Sequence, residues 1–196
     1  MSFNRFKGQN NSHQAKGGIS RRGFLTRVGI AAAGALLIPS ADVFANALGR
    51  ERRITLFNTH TKEEWGFVCS PQQDYDPALL DSLNHFLRDH YADVSHTMDP
   101  ALLDLLYAVT VLTGGRGEYN ILSGYRSPET NQWLRRIGHG VAEHSMHIQG
   151  KAIDLRTEDL TTRTIQQVAL SLQLGGVGYY GSSDFVHLDT GEIRSW

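Results

Sequence analysis

The chain has 196 residues, with 19 Lys and Arg against 20 Asp and Glu, and a single cysteine, Cys69. Residues 1–47 hold six of the basic residues and one acid, so the remainder carries 13 basic and 19 acidic side chains, a net of −6 with His neutral. That balance argues against a nucleic-acid partner, whose phosphates require a basic face, and one thiol excludes an internal disulfide.

The chain opens on an export pattern. Ser20-Arg21-Arg22-Gly23-Phe24-Leu25 is a twin-arginine signature, Val28 to Ile38 form an apolar run, and Ala45-Asn46-Ala47 supply the small residues that a signal peptidase reads. The run has 11 residues, whereas a bilayer span needs about 20. Residues 1–47 are therefore expected to be a signal segment leading to the periplasm, with no stable membrane span after processing. Residues 48–196 are expected to form one domain, acting as a monomer.

Ile54 to Thr59 and Glu64 to Ser70 are rich in β-formers and predict an N-terminal hairpin. Cys69 falls in its second strand and is expected to be a small buried residue. Asp76-Pro77 and Asp99-Pro100 each place a capping carboxylate and a first-turn proline before apolar residues at helical spacing. The first set is Leu79, Leu80, Leu83, Phe86 and Leu87; the second is Leu102, Leu103, Leu106 and Val109, stopped by Gly114-Gly115. Tyr119 to Tyr125 read as a strand. Ser127-Pro128 start a third helix with Trp133, Leu134 and Ile137 on its apolar side, ended by Gly138 and Gly140. A strand over Lys151 to Leu155, a helix over Thr162 to Leu172, and strands over Gly176 to Tyr180 and Phe185 to Asp189 complete the chain. Without βαβ alternation, this order predicts an α+β fold with a mostly antiparallel sheet flanked by helices.

The chemistry concentrates in the last third. Ser145-Met146-His147-Ile148-Gln149-Gly150-Lys151-Ala152-Ile153-Asp154 sets an imidazole and a carboxylate seven residues apart around a turn-forming glycine. Asp184-Phe185-Val186-His187 adds a second imidazole on the final predicted strand. His147, Asp154 and His187 make a three-ligand nitrogen and oxygen set with a fourth position free for water, the pattern of catalytic zinc. Along a strand, His187 and Asp189 share a face and Asp184 does not. Asp184 can serve as general base only from a turn or bulge before the strand; Asp189 is the competing carboxylate, or holds a ligand imidazole from behind. Arg126, in Ser123-Gly124-Tyr125-Arg126-Ser127, is either a surface ion-pair partner or a cation for a substrate carboxylate or oxyanion. His144, three before His147, is placed on the rim.

The motif Ser-x-His-x-x-Gly-x-Ala-x-Asp, matched from Ser145 to Asp154 and followed by an acidic-x-x-His strand, resembles the zinc D-Ala-D-Ala metallopeptidases. That family includes peptidoglycan carboxypeptidases, vancomycin-resistance dipeptidases and the zinc-binding domain of hedgehog proteins. The leader, Ile121 to Ser127, Gly175 to Tyr180, Phe185 to His187, Asp189-Thr190-Gly191 and Trp196 resemble its murein endopeptidases. The resemblance implies hydrolysis of peptidoglycan cross-bridge peptides, at L,D bonds between diaminopimelate residues. It implies zinc on His147, Asp154 and His187, substrate or oxyanion contact by Arg126, and Asp184 in the acidic place of the final motif. Two other readings stand beside it: a zinc-stabilised wall-binding module without catalysis, and a carboxypeptidase on soluble peptides.

Overall fold

A computed structural model of the chain describes residues 49–70, 74–138 and 141–196. The expected leader over residues 1–47, and Gly140, lie outside the described residues. No helix among the described residues is long and apolar enough to cross a membrane.

Strands β1 (Arg52–Asn58) and β2 (Glu64–Cys69) form the N-terminal hairpin, paired antiparallel from Arg52 with Cys69 to Phe57 with Glu64. Alternation places Ile54 and Leu56 in the core, and Cys69 is fully buried. Helix α1 (Pro77–Phe86) begins where the sequence predicts, because Asp76 accepts a hydrogen bond from Ala78 N at 2.8 Å and Pro77 fills the first turn. Such a cap contributes about 1 kcal/mol. Helix α2 (Ala101–Thr113) starts one residue later than Asp99-Pro100 suggests. Asp99 still caps it by accepting from Ala101 N at 3.0 Å, and Gly114 ends it in the left-handed conformation, φ 66°. This helix is buried nearly all round.

Strand β3 (Glu118–Ser123) leads to α3 (Pro128–Arg136), capped by Ser127, whose Oγ accepts from Thr130 N at 3.1 Å. On α3, Leu134 is buried while Trp133 and Ile137 stay largely exposed. Only part of the expected apolar side is therefore packed. Strand β4 (Ala152–Arg156), helix α4 (Thr162–Leu172), β5 (Gly176–Tyr180), β6 (Phe185–Asp189) and a two-residue β7 (Arg194–Ser195) complete the domain.

The seven strands form one sheet in the order β2-β1-β3-β4-β6-β5-β7. The α+β class is as predicted, but the sheet is mixed, not mostly antiparallel. β1 pairs parallel with β3, and β5 pairs parallel with β7. The first parallel join arises because β2, α1 and α2 intervene between β1 and β3, a crossover long enough to bring the chain back in the same direction. The second arises because the chain leaves β6 and returns to the free side of β5.

The central strands separate structure from chemistry. On one face Ile153 and Leu155 of β4 and Val186 and Leu188 of β6 enter the core shared with α2 and α4. Each fully buried aliphatic side chain contributes about 1.5–3 kcal/mol. The alternate residues, Asp154 on β4 and His187 and Asp189 on β6, point to the opposite face.

Candidate metal centre

Asp154 and His187 are direct cross-strand partners in the β4–β6 ladder, so the sheet itself sets their side chains next to each other. His147 arrives from a separate segment. Residues 145–151 form a tight series of turns in which Ile148 N, Gln149 N, Gly150 N and Lys151 N donate to Ser145 O, Met146 O, His147 O and Met146 O. Gly150 makes the last turn possible at φ 67°, a conformation that other residues rarely adopt.

The structure brings together the three residues that the sequence singles out. His147 Nε2 lies 3.2 Å from His187 Nδ1 and 3.2 Å from Asp154 Oδ1, and His187 Nδ1 lies 2.8 Å from Asp154 Oδ1. All three side chains are buried. The outward nitrogens set the chemistry of the inward ones. His147 Nδ1 lies 2.6 Å from the Gly124 carbonyl, which can only accept, so Nδ1 carries the hydrogen and Nε2 presents a lone pair to the centre. His187 Nε2 likewise donates to Asp189 Oδ2 at 3.0 Å, leaving Nδ1 facing inward.

Two inward imidazole nitrogens and a carboxylate oxygen thus converge, a set that needs a proton or a metal cation among them. A tetrahedral ion with ligand bonds of about 2.0–2.1 Å has ligand-to-ligand edges of about 3.3 Å. The observed separations are close to that, so the donor set fits a zinc-like divalent ion. The electrostatics agree. Burial opposes charge on Asp154, but the adjoining His147 and His187 outweigh it and hold the carboxyl well below the usual carboxylate range. Burial lowers the pKa of His147, which favours the neutral form that metal binding requires.

Asp189 is fully buried and takes five donors: His187 Nε2, Gly176 N, Gly191 N and both terminal nitrogens of Arg194, the closest at 2.6 Å. Burial would raise its carboxyl; the hydrogen bonds from His187 and Arg194 prevail and hold it well below the usual range. It therefore braces the His187 imidazole from behind. Trp196 packs against the His187 ring, 5.2 Å between centroids, and donates its indole N–H to Tyr180 OH at 2.9 Å.

Asp184 is not brought to the centre. It does occupy the turn before β6, at φ 51°, as a base on this segment would require. Its carboxylate, however, accepts from Thr162 Oγ1 at 3.1 Å, faces Arg156 at 3.9 Å and is 66% exposed. In this arrangement Thr162, at the start of α4, holds the Asp184 side chain. Arg126 is in place, 12% exposed, with Nη2 donating to Ser123 Oγ at 3.0 Å and lying 3.4 Å from Asp154 Oδ2. It orients the second oxygen of Asp154 and lines the cleft, about 750 Å³, into which the triad opens. His144 lies on the exposed rim of that cleft, as the sequence suggests.

Sequence reasoning missed two groups. The Gly124 carbonyl can reach His147 because the chain passes so close to Leu87 that a Cβ at Gly124 would collide with its backbone; a glycine between a strand and Tyr-Arg was the available signal. Arg194 carried no motif at all.

Residues 46–196 match the family described as Peptidoglycan L,D-endopeptidase MepK. The chain is 40% identical over 177 residues to the peptidoglycan L,D-endopeptidase MepK of Escherichia coli (strain K12), covering 90% of this chain and 97% of that protein. The protein of the same description from Shigella flexneri matches to the same extent. The probable peptidoglycan L,D-endopeptidase MepK of Haemophilus influenzae is 36% identical over 178 residues, covering 90% of this chain and 95% of the relative. No solved structure matches the chain. With this extent of similarity running through the whole described domain, the chain belongs to the MepK family of peptidoglycan L,D-endopeptidases.

Proposed function

We propose that this protein hydrolyses L,D peptide bonds in peptidoglycan cross-bridges, with a zinc ion held by His147 Nε2, Asp154 Oδ1 and His187 Nδ1. The observation that carries the reading is the convergence of these three atoms with both outward imidazole nitrogens committed to acceptors. When bound, zinc supplies a Lewis acid for the scissile carbonyl and acidifies a water.

The chain's own residues do the rest. The Gly124 carbonyl and Asp189 fix the two imidazoles, so no reorganisation is needed when a substrate enters. Arg126 keeps Asp154 aligned and stands ready to receive charge that develops on the carbonyl oxygen. The Ser20 to Leu25 motif supports export through the twin-arginine route to the compartment that holds peptidoglycan.

The test is mass spectrometry of peptides released from purified sacculi by zinc-loaded protein. Products cut at L,D bonds are expected, and both a chelator and Asp154→Ala should abolish them. Full cleavage by an Asp154→Ala protein of normal metal content would refute the assignment.

A further inference from the structure

Four rings adjoin one another from the cleft outward. His60 and His90 are stacked, 3.9 Å between centroids and 6° between planes. His90 adjoins Tyr91 at 4.1 Å, and Tyr91 meets Trp133 edge-on at 5.2 Å and 61°. His60, His90 and Tyr91 line the cleft, and Trp133 continues the row on α3. The two outer rings serve no core: Tyr91 is 54% exposed and Trp133 40%. A contiguous set of rings whose outer members are exposed, beside a catalytic cleft, marks an interaction site.

The row is built from three separate segments, each pinned. The β1–β2 turn that carries His60 is held by buried Asn58, whose Oδ1 accepts from His60 N and Thr61 N at 2.9 and 3.1 Å. The turn that carries His90 and Tyr91 is held by buried Asp89, whose Oδ1 accepts from Tyr91 N at 2.9 Å. The other oxygen of Asp89 accepts from Ser127 N at 2.8 Å, tying that turn to the start of the helix that bears Trp133. The rings are therefore preorganised, and a ligand that stacks on them loses little to their ordering.

Burial pushes the pKa of His90 down to about 4, so its imidazole is neutral at neutral pH. The arginines of the cleft are engaged elsewhere, Arg126 with Asp154 and Arg194 with Asp189. A pyranose suits the exposed rings: its C–H face packs on a π face, and its hydroxyls reach the His60 imidazole and the Tyr91 phenol. The cross-bridge that enters the cleft hangs from a glycan, so a saccharide is the part of the substrate that would lie beyond the centre.

We propose that the His60–His90–Tyr91–Trp133 row is a glycan-binding subsite that seats the saccharide strand of peptidoglycan while its cross-bridge lies at the metal centre. The proposal rests on the reading of peptidoglycan as the substrate.

The test compares zinc-loaded wild type, Trp133→Ala and Trp133→Phe on intact sacculi and on a cross-linked peptide dimer free of glycan. Trp133→Ala is expected to slow release from limiting sacculi about tenfold, in keeping with the loss of one end of an aromatic platform. Its rate on the peptide dimer should stay within about twofold of wild type, and Trp133→Phe should recover most of the rate on sacculi. Equal losses on both substrates, or no loss on sacculi, would overturn the subsite. A fluorescence titration of the full chain with a soluble N-acetylhexosamine oligosaccharide decides the point without turnover and without a folding risk. A saturable change in wild type that is diminished in Trp133→Phe supports the subsite, and the absence of any change overturns it. Failure of the wild type to cut either substrate would bear on the hydrolytic reading alone.

Discussion

His187 Nε2 lies 3.0 Å from Oδ2 of Asp189, two residues further along the same strand. The pair fixes which imidazole nitrogen faces Asp154 and which faces away. Asp189→Asn keeps the shape but weakens the acceptor and leaves Arg194 without its anion. Metal affinity is expected to fall about 10–100-fold, the usual effect of losing such an outer partner. Competition with a chromogenic chelator measures this directly; unchanged affinity would show that Asp189 does not govern the imidazole.

Asp184 gives a contrasting expectation. Its carboxylate is turned toward Thr162 and Arg156 and does not line the cleft. Asp184→Ala should keep its metal and retain turnover within about twofold, as is usual for exposed polar substitutions. Steady-state rates on sacculi decide the matter. A loss of several hundredfold would mean that the turn before β6 swings inward during the reaction and restores the base role suggested by the Asp-x-x-His motif.

Acidity separates the metal-free and metal-loaded proteins. Without metal, burial disfavours charge on His187, but its hydrogen bonds to Asp154 and Asp189 prevail and raise its pKa from 6.5 to about 9. A raised His pKa adds stability that is complete below 6.5 and is lost as pH rises through 9. Metal takes the Nδ1 lone pair and expels the proton held there. The metal-free protein should therefore weaken across this window, and metal affinity should rise about tenfold per pH unit for the one proton released. Calorimetric melting points of stripped and loaded protein should diverge as pH increases. A constant gap would contradict the coupling.

Gly150 links fold and site in one residue. Its φ of 67° lies in the left-handed region, and a Cβ there would run into the Thr97 carbonyl oxygen and come within 3.0 Å of the His96 ring. Gly150→Ala should cost about 1–3 kcal/mol from the backbone conformation, with the steric conflict adding to it. Because the turn stands between His147 and Asp154, metal stoichiometry should drop along with the denaturant midpoint.

Much of this was legible in local chemistry. Asp76 and Ser127 cap the helices that their Pro-containing motifs announce, and Gly114 stops α2 where a left-handed residue is needed. The spacing of His147 and Asp154 around Gly150 pointed to the centre because a single turn joins them. What could not be read depends on distant partners. The parallel pairing of β1 with β3 is decided by how the intervening helices pack. The direction of the Asp184 side chain is decided by Thr162, 22 residues earlier on another element. β7 is two residues long and has no periodicity to recognise, yet it delivers Arg194 to Asp189. Trp133 and Ile137 have the helical spacing of core residues yet stay 40% and 48% exposed, with Tyr91 meeting Trp133 only at its edge.

The cross-strand pairing of Asp154 with His187 has one more consequence. Side chains alternate along β6, so a slip of one residue against β4 would turn the imidazole into the core and present Val186 or Leu188 in its place. A molecule misaligned in this way could remain compact and dissolved while holding no ion. Metal content per chain therefore counts correctly aligned molecules, and it can grade a refolded preparation in which circular dichroism sees no fault.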